Sequence, residues 1–375
     1  MAEAQLTDTV LDTTADERLK ETPWYIKILR RPELGAVAGT ILVTIFFMFY
    51  AKDQMFTLGG IMSFLEPAAQ LGILAVAAAM LMIAGEFDLG VGSMIAFGGM
   101  MVAIPLVAWG WPLELAMLLA FGFAIAVGCI NGAIVLHTHL PSFIVTLAFL
   151  FILRGATLIG LKWSTGGNTQ LRGIRDAVPD DHWLLEVLSG NALEGLFLKL
   201  AGWGLIDTFK SGMPKVQGIP VEIIWFIAFT AFATWLLLST RFGNWIFAAG
   251  GDPVSARNVG VPVGRVKVTM FCATACAATL VGVMNALDFG STDASRGLLK
   301  EFEAIIAAVI GGCLLTGGYG SAIGAFFGAI IFGMVSIGIS YTDIDQDLFK
   351  IFLGAMLLLA VLFNNFIRRK AMGGR

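Results

Sequence analysis

The chain has 375 residues, 57% of them hydrophobic and 14% charged, and a mean hydropathy of +0.83. A soluble domain that must cover its core with a polar surface does not reach such values, so an integral membrane protein is expected and a water-soluble enzyme or nucleic-acid-binding protein is excluded. The formal charge of −3 says little, because orientation in a membrane depends on where Lys and Arg lie and not on their sum.

The first 19 residues are acidic and polar, with neither an apolar core nor a small-residue cleavage site. They are therefore expected to be a disordered leader and not a signal peptide, with the first span acting as its own insertion signal. "WYIKILRRPELG" follows as an interfacial collar, Trp24 and Tyr25 at headgroup level and Arg30 and Arg31 toward acidic lipid. Beyond it, apolar runs long enough to cross about 30 Å of hydrocarbon as helix recur, whereas porin strands would alternate. Ten spans are expected, over 34–51, 64–84, 89–109, 112–136, 142–161, 220–239, 266–287, 301–318, 322–340 and 349–366.

The fold class is thus all-α: a polytopic helical membrane protein of about ten transmembrane helices with broken, glycine-rich segments. Its divisions are a leader and interfacial segment (1–33), a membrane domain (34–366) and a basic tail (367–375). An even number of spans puts both termini on one side. Basic clusters before the first span (Lys20, Lys27, Arg30, Arg31), in the 240–265 stretch and beside it (Arg241, Arg257, Arg265, Lys267) and after the last span (Arg368, Arg369, Lys370, Arg375) then all face the cytoplasm. Residues 162–219 are apolar enough to suggest an eleventh crossing, but Glu186, Glu194 and Lys199 would be costly in hydrocarbon. An extracytoplasmic loop with an interfacial helix is expected there, with deeper insertion of 181–209 left open. Asp343, Asp345 and Asp347 land on the same outer side.

Four cysteines (Cys129, Cys272, Cys276 and Cys313) lie in apolar segments without metal-ligand spacing and are expected to be small packing residues. His137 and His139 end a span with no further ligand nearby, so no metal site is expected. No cluster at catalytic spacing occurs either, so no catalytic residue is assigned.

"AAGGDPVSARNVGVPVGR" (248–265) is a polar insert between apolar runs. Asp252 can cap a helix, Pro253 fits its first position, Gly260 can end it in the left-handed conformation, and Pro262 prevents continuation. A helix of under two turns has no stability of its own in water, so it persists by packing. Two readings follow: an ordinary capped loop, or a coupling helix that docks into a cytoplasmic partner. The partner-contact candidates are Asp252, Pro253, Ser255, Ala256, Arg257, Asn258 and Gly260.

Four blocks carry a resemblance. "GEFDLGVGS" (85–93) resembles G-G-x-D-L-S-V-G-S. "GCINGAIVLHTHLPSFIVTLAFLFILRGATL" (128–158) follows an N-G…L-P-x-F-I-V-T-L…R-G pattern. "GGDPVSARNVGVPVGRVK" and "EFEAIIAAVIGGCLLTGGYGSAIGAFFGAIIFG" complete the order. From residue 30 onward the chain resembles the permease subunit of ribose- and xylose-type ABC importers. Cys313, Leu314 and Glu86 depart from the pattern.

The resemblance implies a bacterial inner-membrane protein that forms the path for a sugar or sugar-like small polar substrate. It implies a second permease copy as homodimer partner, a cytoplasmic ATP-binding-cassette ATPase and an extracytoplasmic sugar-binding protein. The chain has no G-x-x-x-x-G-K-[ST] phosphate loop, so ATP and Mg are expected on the partner ATPase, with no cofactor in this chain. The alternative reading is an ion-coupled secondary transporter of a small polar solute.

Polar residues inside spans are candidates for the substrate path, here Asp88, Ser93, Asn131 and Asn285, each of which could also be a helix–helix hydrogen bond. "GEFDLGVGS" and "GGCLLTGGYGS" suggest two related halves with broken helices near that path, while Gly320, Gly324 and Gly328 suit close helix packing. Arg154, inside the fifth span, either snorkels outward or pairs with Asp288 as a gate or docking contact.

Overall fold

The computed structural model describes residues 33–179, 181–342, 345, 347–352, 354–356, 358 and 362. The leader, the aromatic and basic residues of the collar, half of 349–366 and the basic tail lie outside the described residues. In chain order come α1 (Glu33–Tyr50), α2 (Leu58–Ile83), α3 (Val91–Trp109), α4 (Leu113–Thr138) and α5 (Ser142–Thr165). Then follow two short helices, α6 (Trp183–Leu188) and α7 (Glu194–Gly202), and a long one, α8 (Val221–Ser239). Next are α9 (Arg241–Gly251), α10 (Pro253–Asn258), α11 (Val263–Asp288), α12 (Lys300–Ile310) and α13 (Ala322–Gly338).

Among the described residues, eight helices are long and apolar enough to span a membrane: α1 to α5, α8, α11, and α13 with its turn to Tyr341. Burial sorts them into two shells. α2, α3, α11 and α13 are 67–78% buried, whereas α1, α4, α5 and α8 are 17–39% buried. The outer four therefore present apolar side chains such as Leu118, Phe151 and Leu238 outward, as a bilayer requires.

One expected span is corrected. Residues 301–318 do not form a single crossing helix: α12 stops at Ile310, and 311–321 is irregular before α13 begins. The reason is a Schellman stop, in which Gly312 takes φ 90°, its N–H bonds Val309 O at 2.9 Å, and Cys313 N–H bonds Ala308 O at 3.0 Å. The same stop ends α2, with Gly85 at φ 84°, its N–H bonded to Met82 O and Glu86 N–H to Leu81 O. Both glycine-rich motifs thus open with a helix terminator.

Among the described residues, 166–220 contain no helix of spanning length; α6 and α7 have six and nine residues. This segment is pinned to the far end of α11. β1 (Gln170–Arg172) pairs antiparallel with β4 (Ser291–Asp293), and the Trp225 indole donates to Val187 O at 2.7 Å. β2 (Asn191–Ala192) pairs with β3 (Ile219–Pro220) at the foot of α8. Since α11 has 26 residues, about 39 Å separates this end from the end carrying α10.

Candidate functional site

The α10 hook follows the local grammar of its sequence. The Asp252 carboxylate accepts from Val254 N at 3.0 Å and Ser255 N at 3.2 Å, and Ser255 Oγ donates to its other oxygen. Pro253 opens the helix. Gly260, at φ 87°, closes it: its N–H bonds Arg257 O at 3.0 Å, and Val261 N–H bonds Ala256 O at 2.9 Å. The Ser255 hydrogen bonds hold the Asp252 carboxyl below the ordinary 3.8. Asp252, Ser255, Arg257 and Asn258 are exposed, so the hook offers a polar surface. Ala256 departs from the expected contact set: it is buried against its own chain and anchors the hook instead. Val254 and Val259, both more than two-thirds exposed at 68% and 79%, present apolar surface the motif reading missed.

Behind the hook, the α2 interruption is strapped on both sides. Phe87 N–H donates to Ser142 Oγ and Leu89 N–H to Thr146 Oγ1, each at 3.0 Å, so the start of α5 satisfies backbone groups that a helix break would orphan. Asp88 accepts from Gly90 N at 2.8 Å and from Thr274 Oγ1 of α11 at 3.1 Å. Glu86, the departure from the family pattern, forms an ion pair with Lys267 of α11. Asp88 thus ties the interruption to α11, and Lys267 is turned inward onto Glu86.

The remaining interior candidates are dispersed. Ser93 is fully buried with an unpartnered hydroxyl, and Asn131 lies buried in α4 with an unpartnered Oδ1. Asn285 donates to Val281 O at 3.0 Å and lines a cavity of about 210 Å³ between α2, α3, α11 and the start of α12. Gln70, Arg296 and Lys300 also line it, and sequence reading missed all three. Arg296 and Lys300 are balanced by Asp293 at 3.4 Å and Glu303 at 2.5 Å. The volume holds several waters and falls below the usual range for a ligand pocket.

Arg154 and Asp288 are not brought together. Asp288 is exposed and accepts from Ser189 Oγ at 2.6 Å and Gly190 N at 3.0 Å, which ties α11 to the 166–220 segment. Arg154 instead bears electrostatically on Glu301, whose Oε2 is buried and unpartnered, as are two guanidinium nitrogens of Arg154. The arginine thus faces the bundle interior and does not snorkel.

Among the described residues, no group of three His, Cys, Asp or Glu is placed to hold a metal ion. Cys313 is buried, but Cys129 is exposed and its thiol lies 3.5 Å from that of Cys272, so it is not a packing residue.

A family model described as "Branched-chain amino acid transport system / permease component" matches residues 60–361. The chain is 28% identical to the xylose transport system permease protein XylH of Escherichia coli K12, over 92% of this chain and 95% of that protein. It is 28% identical to the ribose import permease protein RbsC of the same organism, over 87% and 91%. It is 30% identical to the inner membrane ABC transporter permease protein YjfF, also of E. coli K12, over 80% and 82%. With most of its length matched, the chain belongs to this family of membrane permease components.

Proposed function

We propose that the chain is the multi-pass inner-membrane permease subunit of an ABC importer for a sugar or sugar-like small polar solute. Relatives named for xylose and ribose, matched over nearly their whole lengths, support the substrate class. Two copies form the path, a cytoplasmic ATPase supplies the energy, and an extracytoplasmic binding protein delivers the solute. The termini and α10 face the cytoplasm, and the 166–220 segment faces outward.

The observation that carries the mechanism is the α10 hook: six residues, capped at both ends, anchored by buried Ala256 and half-buried Pro253 and otherwise exposed at one end of the bundle. Closure of two ATPases on nucleotide displaces the hooks docked in them, and the displacement reorganises the inner helices α2, α3, α11 and α13. Asp252, Pro253, Ser255, Arg257, Asn258 and Gly260 form the docking surface with Val254 and Val259.

The test is reconstitution with ATPase and binding protein. Gly260→Pro, or deletion of 253–258, inserts normally but loses solute-stimulated hydrolysis and uptake. Stimulation that stays at the wild-type level, or uptake driven by an ion gradient without ATP, overturns the reading.

A further inference from the structure

Three stretches distant in sequence meet behind the hook with no side chain between them. They are the end of α2 (Ile83 to Gly85), the end of α9 (Gly250) and the second interruption (Gly317 and Gly318). Gly318 N–H donates to Ile83 O at 2.9 Å. A Cβ on Gly250 would lie 1.8 Å from Ile83 O and 2.8 Å from Gly318 N. A Cβ on Gly317 would lie 2.7 Å from Gly250 O and 2.8 Å from the Gly85 Cα. Gly85, Gly317 and Gly318 also hold φ values of 84°, 79° and 72°, which side-chain-bearing residues rarely adopt.

Contacts through side chains can absorb a displacement by changing rotamer, whereas backbone touching backbone has no such slack. Only Gly251 and the extended Asp252 lie between Gly250 and the first residue of α10, so the hook is joined to the junction within three residues of chain. On the far side, the first interruption is strapped to α5 and α11, as described. The second leads back through α12, whose Lys300 end lines the polar cavity. The junction therefore lies on the shortest covalent and packed route from the hook to both interruptions.

We propose that Gly85, Gly250, Gly317 and Gly318 form a mechanical node that makes α9–α10 and both helix interruptions move as one body. They are positioning residues: they touch neither ATP nor solute, and transmit the stroke of α10 to the transport route. The inference rests on α10 being the site of ATPase docking.

The test uses the complete reconstituted importer. Gly250→Ala forces the backbones apart, while Gly251→Ala adds a methyl whose nearest neighbour, the Gly318 Cα, is at 3.9 Å, an ordinary contact. For Gly250→Ala, basal hydrolysis and the KM for loaded binding protein are retained while solute moved per ATP falls about tenfold, a difference of about 1.4 kcal/mol in coupling. Gly251→Ala keeps the wild-type ratio. Ser255→Cys reports docking by cross-linking to the ATPase in each variant. Cross-linking with a normal ratio in Gly250→Ala overturns the node, whereas absent cross-linking in the otherwise wild-type chain overturns the docking reading instead. If Gly250→Ala does not assemble, spin labels on non-canonical residues at exposed positions 244 and 316 of the otherwise wild-type chain decide the matter. Their separation stays constant between nucleotide-free and nucleotide-bound states if the node is rigid, and a nucleotide-dependent change overturns it.

Discussion

The Asp252 carboxylate caps α10 through two backbone N–H groups and the Ser255 hydroxyl, and those bonds lower its pKa from 3.8. A group whose folded pKa is depressed contributes its capping above the unfolded value and loses it as pH falls through the folded one. The cap is therefore constant from about pH 5 to 8. Solute moved per ATP shows no titration from it over that range; Asp252→Ala lowers the ratio, and Asp252→Asn, still an N-cap, lowers it less. A pH profile with a step near neutrality that Asp252→Asn abolishes would contradict this. Arg154 and Glu301 give a second prediction at this scale. Removing either charge leaves the other buried without its counterpart, so Arg154→Gln and Glu301→Gln each destabilise the chain, and the double variant recovers part of the loss. A double-mutant cycle on thermal unfolding in detergent gives a coupling of about 0.5–3 kcal/mol, and strict additivity would sever the pair. Capping was legible in the sequence because Asp252, Pro253 and Gly260 act on neighbours within one turn. The nearness of Arg154 to Glu301 was not, because Glu301 lies on a helix remote in sequence whose position depends on the path of 289–299.

Hydropathy windows add up apolar side chains and do not register a backbone that turns left-handed, which is why 301–318 read as one span. Gly312 ends α12 at eleven residues, and the irregular stretch after it is what lets Gly318 reach Ile83. Close packing between elements was equally hidden. α4 and α11 approach so tightly that a Cβ on Gly128 would lie 2.5 Å from the Cys272 Cα. This approach brings the Cys129 and Cys272 thiols to 3.5 Å. Mild oxidation with a copper catalyst is expected to join them as an intramolecular disulfide, seen as a shifted peptide in non-reducing digests and absent in Cys129→Ser. Failure to cross-link while other surface thiols react would place α4 and α11 further apart.

The outer shell of α1, α4, α5 and α8 leaves broad apolar faces that water would not tolerate, including Phe49, Leu118 and Phe151 at 66–81% exposed. Lipid covers such faces, and a second copy covers part of them in the proposed importer. Native mass spectrometry of the detergent-purified complex is expected to find two copies of the 40.0 kDa chain with its ATPases. A single copy that transports at the wild-type rate would contradict the two-copy path.

The sequence by itself determined the membrane-protein class, the family, the capped hook and the first helix interruption, between the expected spans 64–84 and 89–109. Each of these depends on composition or on residues a few positions apart, where propensity, capping and left-handed glycine act locally. Tertiary structure alone decided that Glu86 pairs with Lys267, that Arg154 bears on Glu301 and not on Asp288, and that Gly85, Gly250 and Gly317 touch. Those outcomes depend on how far one backbone can approach another, and that distance is set by the packing of the whole bundle and by no single stretch of chain.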